Sequence, residues 1–226
     1  MNYSDVMKEL EKLSRAEHLV QLKRFNVTAA KPYGVPIAAL RKLSQQVGMD
    51  DVLSRQLWFS PVHEAKILGS MIADPVELTE KDVDKLLRSF DSWDVVDEFC
   101  LNLFSKSRLG YFICTEYNDA EAEFVKRTAF SMMAILAWHH GNMSDQKFER
   151  FLPIIIRESV DERNFVKKAV NWSLRQIGKR NLNLNARAIA AAEKIQKISN
   201  ESSQWVAKDA LRELKSPEIQ KRLRSH

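Results

Sequence analysis

A tryptophan and an aspartate four residues apart form the most chemically suggestive pair in the sequence. They lie in the segment 90–98, which reads FDSWDVVDE. Asp91 or Ser92 is suited to cap a helix, and in a helix that begins there Trp93 and Asp97 share one face. An indole face attracts a cation, and a nearby carboxylate stabilises developing positive charge. The alternative is structural, with Trp93 in the core and the acidic residues favouring the positive end of the helix dipole.

A second candidate segment interleaves an aromatic residue with cations. Residues 164–176 read NFVKKAVNWSLRQ, so Lys168 and Trp172 are four residues apart and Arg175 follows three residues later. This pattern suits nucleic acid, because a ring can stack on a base while cations contact phosphates. The structural alternative is a buried tryptophan beside solvated Lys and Arg side chains.

Other catalytic chemistries find little support in the sequence. His63-Glu64 and His139-His140 lack the spacing of metal ligands, and the glycines form no phosphate-binding loop. No serine lies in a G-x-S-x-G elbow, and two cysteines predict neither a disulfide framework nor a thiolate zinc site. We therefore predict no metal site and no cofactor, and we disfavour triad hydrolases, nucleotide-loop enzymes and zinc enzymes.

Helices must position these residues, because helical periodicity runs through nearly the whole chain. Gly and Pro make up about 5% of the 226 residues, against a usual ~12%, which disfavours all-β folds. The sequence predicts an all-α fold in a single domain over residues 1–226. Helices are predicted at 4–24, 36–48, 50–59, 62–73, 79–89, 92–105, 109–117, 121–140, 145–160, 162–179, 183–199, 202–214 and 216–224.

An internal repeat indicates how these helices are arranged. The segment 124–129, FVKRTA, recurs 41 residues later as FVKKAV and, more loosely, a further 40 residues on as WVAKDA. A period of about 40 residues with two helices per unit is typical of HEAT and armadillo repeats, which stack into a curved solenoid. Arg127, Lys168 and Lys208 share one repeat position. We expect them to form a ladder of cations on a concave surface suited to a phosphate backbone.

The C-terminal third of the chain is strongly basic. Residues 163–226 contain 15 Lys and Arg and 5 Asp and Glu, whereas residues 1–162 contain 20 and 25. This asymmetry indicates a polyanionic partner, nucleic acid first, although a solvated helical surface has the same composition. No signal pattern begins the chain, and no apolar run approaches the ~18 residues of a membrane span. We therefore expect a cytoplasmic, nucleoid-associated protein with no membrane partner.

At these residues the sequence resembles the DNA alkylation repair family of AlkD-like proteins, which are alkylpurine DNA glycosylases made of HEAT-like repeats. The matching stretches follow the family order across nearly the whole chain. They are Tyr33-Gly34-Val35-Pro36 with Leu40-Arg41, His63-Glu64-Ala65, Ser92 to Asp97, Phe124 to Arg127, and Phe165 to Arg175.

The resemblance implies a catalytic set and a reaction. Trp93 and Asp97 match residues that face the lesion, Trp172 matches a second tryptophan that completes the cleft, and Arg127 matches an arginine between them. The family removes N3- and N7-alkylated purines, whose base is cationic, without flipping the base into a deep pocket. We therefore predict Asp97, Trp93 and Trp172 as catalytic residues. The predicted DNA-binding residues are Arg127, Lys168, Lys167, Arg175 and Lys208.

Three functions remain open from the sequence. The first is a monofunctional glycosylase of base excision repair, acting as a monomer on double-stranded DNA that contains alkylated purines. The second is a non-catalytic module that binds distorted or branched DNA, and the third is a scaffold for a protein partner. Retention of the whole catalytic set favours the first, although Phe25 and Phe124 stand where some relatives carry Tyr and Trp.

Overall fold

The computed structural model describes residues 1–27 and 31–225, and most of them lie in helices. These residues contain no strand, only an isolated bridge between Lys31 and Val62. None of their helices is both long and apolar enough to cross a bilayer. The chain forms two compact units, Met1–Leu109 and Gly110–His226. A single continuous domain over residues 1–226 stays a prediction.

The helices begin and end close to their predicted positions in most cases. The first unit contains α1 (Tyr3–Lys12), α2 (Ala16–Arg24), α3 (Ile37–Val47), α4 (Asp51–Trp58), α5 (His63–Ile72), α6 (Glu80–Ser89), α7 (Trp93–Asn102) and a 3-10 turn (Phe104–Lys106). The second unit contains α8 (Gly110–Glu116), α9 (Glu123–His139), α10 (Asp145–Glu149), α11 (Phe151–Glu158), α12 (Asn164–Gly178), α13 (Leu182–Ile195), α14 (Glu201–Leu214) and α15 (Pro217–Arg224).

The predicted helix 4–24 was wrong, because the chain breaks between α1 and α2. At the break, the Ser14 hydroxyl donates to the carbonyl of Tyr33, and the Arg15 amide donates to the carbonyl of Gly34 at 3.0 Å. These partners lie about twenty residues away, in the loop before α3. Tertiary hydrogen bonds therefore replace the helical ones that local periodicity had implied.

The predicted helix 145–160 was also wrong as one element, since it is divided into α10 and α11 at Arg150. Pro153 lies in the first turn of α11. A proline has no N–H to donate, and its ring clashes with the carbonyl four residues earlier, here that of Glu149. The periodicity of the segment is helical on both sides of this break, which is why the pattern alone joined them.

Helix α5 forms the centre of the first unit. Every residue of this helix except Met71 is buried, including His63, Glu64 and Lys66. It packs against α1, α3, α4 and α7. A Cβ atom on Gly69 would stand 2.8 Å from the Trp58 ring, so the close approach of α4 to α5 requires glycine there. Three ionisable groups are thereby placed inside the unit, beneath the start of α7.

Residues about 40 positions apart contact one another in the second unit. Helix α12 packs against both α9 and α14. The rings of Phe124 and Phe165 lie 5.8 Å apart, and Lys167 Nζ lies 5.5 Å from the centre of the Trp205 ring. The N-terminal ends of the three helices are thus neighbours, as the repeat predicted.

Candidate functional site

The first turn of α7 carries both members of the tryptophan–aspartate pair. Ser92 occupies the N-cap position, and Trp93 and Asp97 lie four residues apart on the helix, each half-buried. The Trp93 indole Nε1 donates to the carbonyl of Phe25 at 3.0 Å. This bond ties the ring to the end of α2. The structure therefore places the pair on one helix face, as the spacing predicted.

A cavity of about 250 Å³ lies beside this pair, within the first unit. Its apolar lining comes from α2, α3, α5 and the segments next to them, and its polar lining comes mainly from α5 and α7. The apolar residues are Leu22, Phe25, Val27, Val35, Ile37 and Ile67, and the others are His18, His63, Glu64, Trp93, Asp94, Asp97 and Glu98. An apolar cavity with carboxylates at its wall favours a flat ligand that carries positive charge.

The start of α7 is held by a buried ion pair that the sequence analysis missed. Asp94 Oδ2 accepts from His63 Nε2 at 2.8 Å, and Asp94 Oδ1 accepts from the Ser92 hydroxyl at 2.6 Å and the Val95 amide at 3.0 Å. His63 is 2% exposed. The sequence argued against a metal ligand at this histidine, and it did not reveal the partner, which lies 31 residues away on another helix.

Both partners of this pair have shifted pKa values. Burial disfavours the charged imidazole, but the hydrogen bond and the charge of Asp94 outweigh it, so the pKa of His63 is raised. Burial likewise disfavours the charged carboxylate, but the bonds from His63, Ser92 and the Val95 amide lower the pKa of Asp94. Both partners therefore favour their charged forms, and Asp94 directly follows Trp93 in the sequence.

Glu64 anchors the loop before α3, which contributes Val35 to the cavity lining. Its carboxylate is buried and accepts three backbone hydrogen bonds, from the amides of Tyr33 at 2.8 Å, Gly34 at 2.6 Å and Val35 at 3.1 Å. The same loop accepts the bonds that end α1 and begin α2. Glu64 thus fixes the segment on which the position of α2 depends.

Glu98 adds a carboxyl group of different character to the cavity. Burial raises the pKa of Glu98, and the charges of Asp97 and Asp94 raise it further, against the hydrogen bond from Asn102 and the charge of Arg41. The Asn102 side chain donates to Glu98 Oε2 at 2.9 Å. Asp94 and Glu98, one turn apart on α7, therefore have pKa values shifted in opposite directions.

The other predicted site residues lie in the second unit. Lys168 and Lys208 are exposed at equivalent repeat positions, and neither forms an ion pair with any residue that the structure describes. Lys167 is half-buried against the ring of Trp205, which is 40% exposed. These side chains make a surface of cations with one exposed aromatic ring at the N-terminal ends of α12 and α14.

Arg127 does not share the exposure that the ladder predicted. It is 5% exposed, and its Nη1 donates to the carbonyl of Phe165 at 2.7 Å. The packing of α9 against α12 encloses this repeat position, whereas the equivalent position on α12 and α14 is open. The structure therefore gives Arg127 a place between two repeats, where it joins α9 to the first turn of α12.

A network of buried charges surrounds this junction. Lys126 is paired with Glu158 and, at 3.0 Å, with Asp161, and Arg163 also binds Asp161. Burial alone would raise the pKa of Asp161, but the hydrogen bonds from Arg163 and Lys126 lower it to about 2. Lys126, next to Arg127, therefore binds carboxylates of the protein itself.

Trp172 and Arg175 are both half-buried on α12. Arg175 Nη1 lies 2.5 Å from Glu213 Oε2 and 3.6 Å from Asp209 Oδ2, so carboxylates of α14 already bind its guanidinium. A phosphate contact by Arg175 would compete with these ion pairs. Among the predicted cations, Lys168 and Lys208 are therefore the most available.

The described residues contain no group of three or more His, Cys, Asp or Glu side chains arranged to hold a metal ion. The polar lining of the cavity consists of carboxylates, two imidazoles and an indole. Cys100 and Cys114 are both buried thiols.

Comparisons with known proteins agree with this architecture. A solved protein superposes on the chain with a TM-score of 0.76 at 18% identity, covering 92% of this chain and 94% of its own. It represents a new family of proteins related to the HEAT-like repeat DNA glycosylases with affinity for branched DNA structures. At this identity the match confirms the all-α, HEAT-like repeat fold.

Two other comparisons bear less on the chain. A designed armadillo repeat protein superposes on 78% of it at 18% identity, with a TM-score of 0.37 that is too low to support an argument. The search of curated proteins found no match.

The sequence comparison with protein families is more direct. Residues 6–214 match the family described as DNA alkylation repair enzyme. That span includes α7, the cavity residues and the repeat positions at Arg127, Lys168 and Lys208. The chain belongs to the DNA alkylation repair enzyme family.

Proposed function

We propose that the protein is a monofunctional DNA glycosylase that excises cationic N3- or N7-alkylated purines from duplex DNA. One observation carries the proposal: Trp93 and Asp97 share a helix face beside an apolar cavity whose wall is rich in carboxylates. Alkylation gives the purine a positive charge, and its release leaves positive charge at the sugar; a carboxylate beside an indole face stabilises such charge.

The reaction needs little more than electrostatic stabilisation. Alkylation at N3 or N7 gives the base a positive charge, so the base leaves with the bonding electrons and becomes neutral without a general acid. Positive charge then develops at the sugar, and a carboxylate at Asp97 stabilises it and orients the attacking water. Water adds its oxygen to the sugar carbon and releases a proton. No cofactor takes part in these steps.

Residues around Trp93 and Asp97 hold these two side chains in place. The His63–Asp94 pair and the Ser92 hydroxyl hold the first turn of α7, and the Phe25 carbonyl holds the Trp93 ring. The exposed Lys168 and Lys208 bind phosphates of the duplex, and the family resemblance adds Trp172 as a further catalytic residue. The lesion is read in the duplex, without extrusion of the base into a deep pocket.

Single-turnover release of N7-methylguanine from duplex DNA tests the proposal, with wild type and Asp97→Asn measured side by side. One electrostatic group of this kind is typically worth a factor of about 10²–10³ in rate. We expect the variant to lose at least that factor while its DNA affinity stays nearly unchanged. Asp84→Asn, which changes an exposed carboxylate of α6, is the matched control and should retain full activity. Equal rates for wild type and Asp97→Asn would remove Asp97 from the mechanism.

A second candidate function is binding of branched DNA without excision. It is favoured by the fold similarity to a family with affinity for branched DNA structures. Salt-sensitive binding of junctions, with no base release from either N3- or N7-alkylated duplexes, would identify this function. Release of base by wild type alone would decide for the glycosylase.

A further inference from the structure

A large groove in the second unit lies away from every residue assigned above. It has a volume of about 790 Å³, within the range of about 300–1,000 Å³ that ligand sites occupy. The groove is formed where the C-terminal ends of α9 and α12 meet α15. Its lining is Ala137, Trp138, Gly141, Asn142, Met143, Ser144, Asp145, Gln176, Lys179, Arg180, Asn181 and Arg222.

An exposed indole is the most informative part of this lining. Trp138 is 62% exposed, more than any other tryptophan in the described chain, although it lies within the last turn of a long, buried helix. Trp138 has the His139 ring beside it, with 4.4 Å between the ring centres, and most of its indole is open to a ligand. Its backbone is held by the helix, so the ring is presented on a rigid support.

The loop that follows Trp138 is fixed by one arginine. The Arg180 guanidinium donates to the carbonyls of Ala137 at 2.7 Å, His140 at 3.1 Å and Gly141 at 3.3 Å. It also stacks on the ring of Phe148, 4.2 Å from its centre. The groove is therefore built before any ligand arrives, which lowers the entropy cost of binding.

The charge of the groove favours an anion. Three cations line it, and the one carboxylate, Asp145, accepts at both oxygens from the side-chain amides of Asn181 and Asn183 at 2.9 Å. Lys179 is paired with Glu213, but Arg222 is exposed, and its Nη2 donates to the carbonyl of Lys179 at 3.1 Å. Arg222 thus has donors left for a phosphate.

We infer that this groove binds an unpaired nucleic-acid strand, with a base stacked on Trp138 and its phosphate bound by Arg222. The inference rests on the proposed function in taking nucleic acid as the partner. In a duplex, neighbouring base pairs cover both faces of each base, whereas an unpaired base can stack on an aromatic ring. The duplex surface at Lys168 lies at the other end of α12, about 16 Å from Lys179 along the helix.

This arrangement gives one unit two separate contacts with DNA. Lys168 and Lys208 bind the phosphates of a duplex, and the Trp138 groove takes a strand that leaves it. DNA that contains both a duplex and an unpaired arm is therefore the ligand that satisfies both surfaces. Affinity should exceed that for either part because the second contact becomes intramolecular.

The test compares a blunt duplex with the same duplex extended by a single-stranded thymidine arm, using fluorescence anisotropy at one fixed salt concentration. We expect wild type to prefer the armed duplex by about tenfold, the factor expected for stacking one base. Trp138→Ala should abolish the preference and leave affinity for the blunt duplex unchanged. Trp138→Phe should retain part of it, and Arg222→Ala should lose most of it.

The controls separate this inference from the proposed function. Arg224→Ala removes an exposed cation from the same helix outside the groove and should leave the preference intact. Circular dichroism of each variant checks that it is folded. Equal affinity of wild type for both duplexes, or an undiminished preference in Trp138→Ala, overturns the groove and leaves the proposed function standing. Absence of binding to any DNA overturns both, whereas release of N7-methylguanine depends on neither Trp138 nor Arg222.

Discussion

The buried carboxylate of Glu64 allows a quantitative test of how the cavity wall is held. Its Oε2 accepts from the Tyr33 amide at 2.8 Å, and its Oε1 accepts from Gly34 at 2.6 Å and Val35 at 3.1 Å. In Glu64→Gln, the single amide oxygen can keep the bonds to Gly34 and Val35. The amide nitrogen then faces the Tyr33 N–H, donor against donor.

The expected cost follows from these three bonds. An orphaned buried donor costs about 1–3 kcal/mol, and the two remaining bonds lose the assistance of a full charge. We expect Glu64→Gln to lower the free energy of unfolding of the first unit by about 2–4 kcal/mol. Glu64→Ala should cost more, because it orphans all three amides and leaves a cavity.

Urea denaturation measures this loss, and hydrogen exchange locates it. The loop held by Glu64 supplies the carbonyls that accept from Ser14 and Arg15, so loosening of the loop should reach α2. Amides of Ala16–Arg24 should therefore exchange faster in Glu64→Gln, while those of α12 should not change. Glu77→Gln, an exposed change in the same unit, is the control. A loss below about 1 kcal/mol, or one equal to that of the control, would refute this account.

Three further perturbations test other parts of the structure. The His63–Asp94 pair contributes its full stabilisation between pH 3.8 and 6.5, which are the ordinary pKa values of the two groups. This contribution declines as pH rises through the raised pKa of His63 or falls through the lowered pKa of Asp94. The stability difference between wild type and His63→Gln should follow this profile in urea titrations, and a flat difference would contradict it. Lys168→Glu should weaken binding to all duplexes and lower the salt slope, whereas Lys197→Glu, an equal charge change in the turn after α13, should lower both less. Gly34→Ala places a Cβ atom 2.6 Å from the carbonyl of Arg15, so its thermal denaturation should reveal a cost about 1–3 kcal/mol above that of Gly48→Ala, which shares the positive φ but meets no atom within 4 Å.

The tryptophan–aspartate pair shows what local sequence can determine. Residues four positions apart share a face in any helix, so the placement of Trp93 beside Asp97 needed only a helix that begins near Ser92. The repeat could be read in the same way, because the segments at 124, 165 and 205 carry the same helical pattern. Stacking of α9, α12 and α14 follows from the need of each to bury that pattern against a neighbour.

Exposure of the individual repeat cations was decided only by packing. Arg127, Lys168 and Lys208 occupy one repeat position, yet Arg127 is enclosed between α9 and α12 and the other two are open to solvent. The sequence determines the chemical type at each position. Which neighbour covers it depends on how successive helices meet, and that is a property of the assembled unit.

The groups that hold the cavity depend entirely on distant contacts. His63 and Asp94 are 31 residues apart, and Glu64 meets its three amides across about 30 residues. Neither motif spacing nor helical periodicity relates such positions. The sequence by itself determined an all-helical repeat protein of the DNA alkylation repair family, with an indole and a carboxylate on one helix face. Only the tertiary structure decided which charged side chains form buried ion pairs and which stay exposed to a ligand, because burial and pairing arise when separate helices pack.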